Sequence, residues 1–300
     1  MTDGHAPQVP VATKRARPLW AACGAVVMAV LPLLGLMVAR GPVDGAGDLT
    51  EGFWGAKTAS VNWCEADYAV TAYIAEFWNS LSSLAIVVIG SYGMWMHWRA
   101  VEPRYVVAFA SFIVVGLGSA AFHGTLWRSM QLLDELPMLW ADGVFIYILI
   151  TMEDDMDREP RRGLMFAFAA AEVLMTLAVI ILDTSSQDVF LLFYGSQTLY
   201  LFVASGRYDV KYNAPGTVML LETGLLFYGG GFLLWLVDRN FCPHVSMLYL
   251  HVFWHVFAGL GTFSSILFWI WIRHEFLGLR PVLRGATPLT RWVEAGEKLV

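Results

Sequence analysis

The chain of 300 residues is 57% hydrophobic and only 15% charged, where an ordinary soluble domain has roughly 45–50% apolar and about 25% charged residues. Its aromatic content of 14% excludes a disordered chain, and its net charge of −6 gives no basis for holding nucleic acid. A mean hydropathy of +0.57 exceeds what one buried core needs, so the chain is read as a polytopic membrane protein.

The apolar residues fall in blocks of membrane-spanning length, about 20 residues each. They cover 20–39, 74–95, 105–126, 130–151, 164–182, 189–204, 216–237 and 247–272. The first follows a basic tail and fits either a retained anchor or a cleaved signal segment. Residues 1–45 are therefore set apart as a cytoplasmic tail with an N-terminal anchor or signal segment. The remaining seven blocks predict an all-α fold, a polytopic transmembrane seven-helix bundle over 46–272 with that additional hydrophobic segment before it. The block at 189–204 is short and has a polar Gly195-Ser196-Gln197 centre, which places it inside the bundle.

Basic residues set the orientation. With the N-terminus in the cytoplasm, fifteen of the nineteen Lys and Arg residues lie on the inner side. Only Arg40, Lys57, Arg128 and Arg239 lie outside. The positive-inside rule selects this arrangement, and residues 273–300 become a cytoplasmic tail.

Ionisable residues inside spans are costly, about 2.5–3.5 kcal/mol for an aspartate at a helix centre, and so mark function. The orientation places Ser119, His123, Asp134, His251 and His255 in one outer layer. His251 and His255 are four residues apart on one helical face, as are Ser119 and His123. Three imidazoles plus a water is the arrangement of catalytic zinc, and Asp134 is placed to take a proton from that water. Against this stand single-residue readings: Asp134 as a helix-start carboxylate, Ser119 as a small packing residue, and His244 as a rival ligand. His97 and His274 read as hydrogen-bonded interfacial residues. Glu172 and Glu222 have no reading beyond satisfied interhelical contacts, and the acidic loop at 153–157 reads as a solvated face.

In the outer segment before the block at 74–95, Asn62, Glu65, Asp67 and Glu76 place four oxygen-bearing side chains within fifteen residues. A calcium loop uses such donors, but without the EF-hand spacing and its glycine the segment also reads as a solvated acidic loop; against that, Glu76 enters the membrane and calls for a cation. Cys64 and Cys242 both fall in outer segments, where disulfides persist, and a bridge between them is predicted. Cys23 reads as an unpaired apolar residue.

At these residues the sequence resembles a known family. Gly52-Phe53-Trp54-Gly55, Asn62-Trp63-Cys64-Glu65 and Tyr73-Ile74-Ala75-Glu76-Phe77-Trp78-Asn79 are similar to the opening signature of the alkaline ceramidases. Gly118-Ser119-Ala120-Ala121-Phe122-His123 with Gln131-Leu132-Leu133-Asp134-Glu135-Leu136-Pro137 resembles their second motif. Asp238-Arg239-Asn240-Phe241-Cys242 and His251-Val252-Phe253-Trp254-His255 resemble the third. The resemblance implies a seven-helix intramembrane zinc amidase, of the superfamily that includes adiponectin receptors, cleaving ceramide to a sphingoid base and a fatty acid. It implies Zn2+ on His123, His251 and His255, with Asp134 and Ser119 acting on water and substrate. Ca2+ would be held by Asn62, Trp63 (through its carbonyl), Glu65, Asp67 and Glu76. The family has aspartate where Asn62 stands and asparagine where Asp67 stands, a swap that keeps the formal charge. The resemblance also implies a lipid substrate within the bilayer, no obligate protein partner, and residence in the endoplasmic reticulum or Golgi. The alternative is a lipid-responsive receptor of the adiponectin-receptor type, whose opposite orientation the basic-residue count opposes.

Overall fold

The computed structural model describes residues 52–296, apart from 157, 160, 184–186 and 215. The expected N-terminal anchor or signal segment lies outside the described residues. Seven α-helices follow one another: α1 (Phe77–His97), α2 (Pro103–Thr125), α3 (Arg128–Ile150), α4 (Arg162–Leu182), α5 (Asp188–Tyr212), α6 (Thr217–Val245) and α7 (Leu250–Phe276). Six of them are long and apolar enough to cross a membrane, which makes the chain a multi-pass membrane protein. The exception is α3, whose apolar run is interrupted by Arg128, Asp134, Glu135 and Asp142.

α7 is the central helix. Every residue from Phe263 to His274 is buried, and their side chains form the main core with Phe109 and Phe112 of α2 and Phe145 of α3. α4 is the opposite case: Val179 is its one buried residue, and the rest of its apolar surface faces outward, as a lipid-facing helix should. Close contact is built from glycine. A Cβ at Gly118 would stand 2.1 Å from the Leu133 carbonyl oxygen, so α2 and α3 can approach this closely only without a side chain there.

Helix ends are fixed by local chemistry. The Glu65 carboxylate accepts hydrogen bonds from the backbone N–H groups of Trp78 (2.7 Å) and Asn79 (2.8 Å), satisfying donors that the first turn of α1 would otherwise leave free. Pro103 opens α2, and Leu126 closes it in a left-handed conformation, φ 52°. α6 kinks at Phe241 (φ −123°), two residues before Pro243. Cys64 and Cys242 are joined in a disulfide, Cα to Cα 5.2 Å, which ties the segment before α1 to this kink.

Several sequence readings are corrected or extended. The short block at 189–204 is part of a 25-residue helix, α5, because hydropathy detects the lipid-embedded part of a helix and not its polar extension through Arg207, Asp209 and Lys211. The C-terminal tail is partly ordered: β1 (Val282–Arg284) pairs antiparallel with β2 (Trp292–Glu294). The hairpin docks under the bundle, where the Val293 N–H donates to His97 Nε2 at 3.2 Å. His97 is thus buried, not interfacial. Finally, the acidic loop is a clamp. Glu153 binds Lys211 and Tyr212, Asp154 pairs with Arg158 and Arg161, and the Asp154 carbonyl accepts from Arg273. Glu172 does meet a neighbour, accepting from Gln197 at 3.0 Å, whereas Glu222 is exposed and not held between helices.

Candidate active site

α2 and α7 bring three histidines to one point. The ligand-capable atoms of His123, His251 and His255 all lie within 4.8 Å of one another, and all three residues are buried. His123 comes from the last turn of α2, His251 and His255 from the first turns of α7. The i,i+4 spacing of the α7 pair sets their ring centroids 4.6 Å apart. His244 is exposed and lies outside the group.

The rings are held from behind. His123 Nδ1 lies 2.5 Å from Glu76 Oε2, and His255 Nδ1 lies 2.8 Å from Ser82 Oγ. Partners on the outer nitrogen are the usual means of orienting a metal-bound imidazole. The His251 ring stacks on Trp63 at 3.9 Å, and its Nδ1 is buried without a hydrogen-bond partner. Leaving such an atom unpaired is costly, and a bond to a metal would satisfy it. Three neutral imidazoles with no thiolate among them suit zinc. The trio can hold a metal ion, and zinc is compatible with it.

Ser119 lies one turn before His123 and approaches the group directly: its Oγ is 3.4 Å from His255 Nε2 and accepts from Ser83 Oγ at 3.0 Å. Asp134, reaching in from α3, is a side-chain neighbour of Ser119. Ser119, Asp134, His251 and His255 open onto one cavity of about 1290 Å³ of empty space, counting its mouth. Its walls are mostly apolar, with Phe112, Met138, Phe145, Leu201, Phe202 and Phe232 among them. The layer of five residues expected from topology is therefore one constellation beside a mostly apolar cavity.

The expected calcium donors also come together, in the loop packed over the trio. Glu76 is fully buried at the start of α1, its Oε1 accepting from the Trp63 N–H at 2.8 Å and its Oε2 from Asn79 Nδ2 at 3.2 Å. Asp67 Oδ2 accepts from Asn62 Nδ2 (3.2 Å) and from the Lys57 ammonium. Burial pushes the Glu65 carboxyl up to about 7, against the lowering effect of its two backbone hydrogen bonds from Trp78 and Asn79. Asp67 Oδ1 and Asn79 Oδ1 are buried without partners. Oxygens of this kind are what a hard cation takes, and the Lys57 ammonium already occupies the other oxygen of Asp67.

Several residues of the site escape sequence reasoning. Ser82 and Ser83 look like small residues of an apolar helix. Asp238, buried at the outer end of α6, accepts from the Cys64 N–H at 3.3 Å. Its place in Asp238-Arg239-Asn240-Phe241-Cys242 was the one available signal.

A family model for ceramidases matches residues 55–281. The chain belongs to the ceramidase family. It is 31% identical over 247 residues to mouse alkaline ceramidase 3, covering 78% of this chain and 91% of the relative. Identity to alkaline ceramidase YPC1 of Saccharomyces cerevisiae is 27% over 245 residues, 72% and 77% of the two chains. An alkaline ceramidase of Arabidopsis thaliana is 25% identical over 254 residues, 80% and 97%. As a member of this family the chain is an enzyme, a hydrolase of the ceramidase class.

Proposed function

We propose that this ceramidase hydrolyses the amide bond of ceramide-type lipids from within the bilayer, releasing a sphingoid base and a free fatty acid. His123, His251 and His255 hold zinc. In such a site zinc lowers the pKa of a coordinated water to about 7 and polarises a carbonyl oxygen. Asp134 takes the proton of the attacking water as general base and returns it to the leaving amine as general acid, a role worth typically 10²–10⁴ in rate. The Ser119 hydroxyl donates to the oxygen of the scissile carbonyl as negative charge develops, worth roughly 3–4 kcal/mol where such a donor is well placed. The apolar walls take the acyl chain and exclude bulk water from the reacting centre, and the head group stays at the outer mouth.

Asn62, the Trp63 carbonyl, Glu65, Asp67 and Glu76 hold a calcium ion that stiffens the loop behind His123. The basic-residue asymmetry supports a cytoplasmic C-terminus, and outer-side chemistry fits a membrane of the endoplasmic reticulum or Golgi. The observation that carries this reading is the buried imidazole trio beside a mostly apolar cavity that His251 and His255 line together with Asp134 and Ser119. Purified protein in detergent should release fatty acid from ceramide, lose that activity to a zinc chelator and regain it with zinc. Release that continues after complete removal of the metal would refute the assignment.

A further inference from the structure

One carboxylate on the cavity wall takes no part in this chemistry. Asp142 lies on α3, eight residues beyond Asp134, about 12 Å further from the outer face at 1.5 Å per residue. It is 6% exposed and lines the same cavity as the catalytic constellation. Its Oδ2 accepts a hydrogen bond from Thr198 Oγ1 of α5 at 3.0 Å, and no Lys or Arg lines the cavity with it. A carboxyl group offers about four lone-pair sites, so one threonine leaves most of its capacity unused. Holding a carboxylate at this depth costs a few kcal/mol, yet the walls around it are those of a slot for a hydrocarbon chain.

A second polar pair completes the arrangement. The hydroxyls of Tyr194 (α5) and Tyr228 (α6), which line the same cavity, are 2.5 Å apart. Two phenols have two protons and their mutual bond uses one; the other lies against the Thr198 hydroxyl, from which it can turn to a ligand oxygen. Asp142 supplies acceptors and the tyrosines a donor. A hydroxyl group, with one proton to give and lone pairs to receive, is the neutral function that matches both.

We propose that Asp142, Thr198, Tyr194 and Tyr228 form a subsite for a hydroxyl carried part-way along the acyl chain, so that the enzyme selects lipid amides of mid-chain hydroxy fatty acids. The inference rests on the reading that the cavity takes the acyl chain. An unsubstituted chain would strip water from these groups and return no hydrogen bond, whereas a hydroxylated chain replaces the water it displaces. Discrimination on the order of tenfold to a hundredfold follows from one hydrogen bond to a buried carboxyl group made or left unmade.

Binding can be read without turnover. Detergent-purified protein is titrated with a saturated fatty acid and with its mid-chain hydroxy analogue, and affinity is taken from thermal protection. The wild type should bind the hydroxy acid about tenfold or more tightly, Asp142→Leu should abolish the difference, and Asp142→Asn, which keeps one acceptor oxygen, should retain part of it. If Asp142→Leu does not accumulate, Thr198→Val and Asp142→Asn must each shrink the ratio. Equal binding of the two acids by the wild type, or a preference that survives these substitutions, overturns the subsite. Hydrolysis of the matching ceramides separates this from the parent reading. Turnover without preference sinks the subsite alone, whereas selective fatty-acid binding without turnover sinks the amidase assignment and leaves the subsite standing.

Discussion

Glu76 Oε2 and His123 Nδ1 lie 2.5 Å apart, and through this contact the segment before α1 reaches the histidine trio. Glu76 is also one of the five expected calcium donors, and its other oxygen binds the Trp63 N–H. Trp63 in turn stacks on His251. Two of the three imidazoles are thus held by the segment that would carry calcium.

Glu76→Gln should therefore weaken zinc binding without removing a zinc ligand. Partners of this kind typically contribute 10- to 100-fold to metal affinity. A chelator-competition titration on the purified variant reads it directly, and wild-type zinc affinity would refute the coupling. Removing calcium from the wild type should push zinc affinity in the same direction by a smaller factor.

Asp134→Asn should leave zinc stoichiometry unchanged and reduce fatty-acid release by about 10²–10⁴-fold. The metal content of the same sample is the control: activity lost together with zinc would place Asp134 among the structural supports of the trio. Ser119→Ala should cost on the order of 10²-fold in turnover with little change in KM, because the hydroxyl serves charge that develops only after binding.

Lys57 places an ammonium on Asp67. It occupies a carboxylate that a divalent cation would use, so Lys57→Ala should tighten calcium binding several-fold, whereas Asp67→Asn should weaken it. Isothermal titration with calcium distinguishes the two. A lysine variant with unaltered affinity would mean that the ammonium moves aside at negligible cost.

The bundle and the centre of the site were legible in the sequence because both rest on periodicities. Seven blocks of about 20 apolar residues give seven helices, and four-residue spacing alone put His251 with His255 and Ser119 with His123. Cys64 and Cys242 were legible from topology, since both lie on the outer side. Asp142 was not, because a single carboxylate in Trp140-Ala141-Asp142-Gly143 carries no spacing signal and its meaning comes from Thr198 and two tyrosines on other helices. The C-terminal hairpin was missed for a related reason. Strands of three residues have too few alternations to read, and what holds them is a tertiary contact with His97.

Removing the disulfide tests the outer loop from another side. The bridge closes a loop with a sequence separation of 178 residues, and bridges of this kind typically contribute about 2–4 kcal/mol. Cys242→Ser should lower the thermal midpoint and increase protease cutting in the 56–72 loop. The double variant Cys64→Ser, Cys242→Ser should match the single one.

At the opposite end, Arg273 and Glu102 make a buried anchor. The Arg273 side chain is 4% exposed and Nη2 lies 2.6 Å from Glu102 Oε1, while Nη1 donates to the carbonyls of Met152 and Asp154. Burial alone would raise the Glu102 carboxyl, but the hydrogen bonds and charges of Arg273 and Arg104 outweigh it and hold it below the usual carboxylate range. Stabilisation from a depressed carboxyl is present above the unfolded-state value and is lost as pH falls through the folded-state value. Glu102→Gln leaves a buried guanidinium short of its countercharge, a loss of about 3–5 kcal/mol for a pair of this type. The variant should melt at a lower temperature near neutral pH, and the gap to the wild type should close on acidification, where the wild type loses the same interaction. A gap that stays constant down to pH values well below the carboxylate range would show that the glutamate contributes by shape and not by charge.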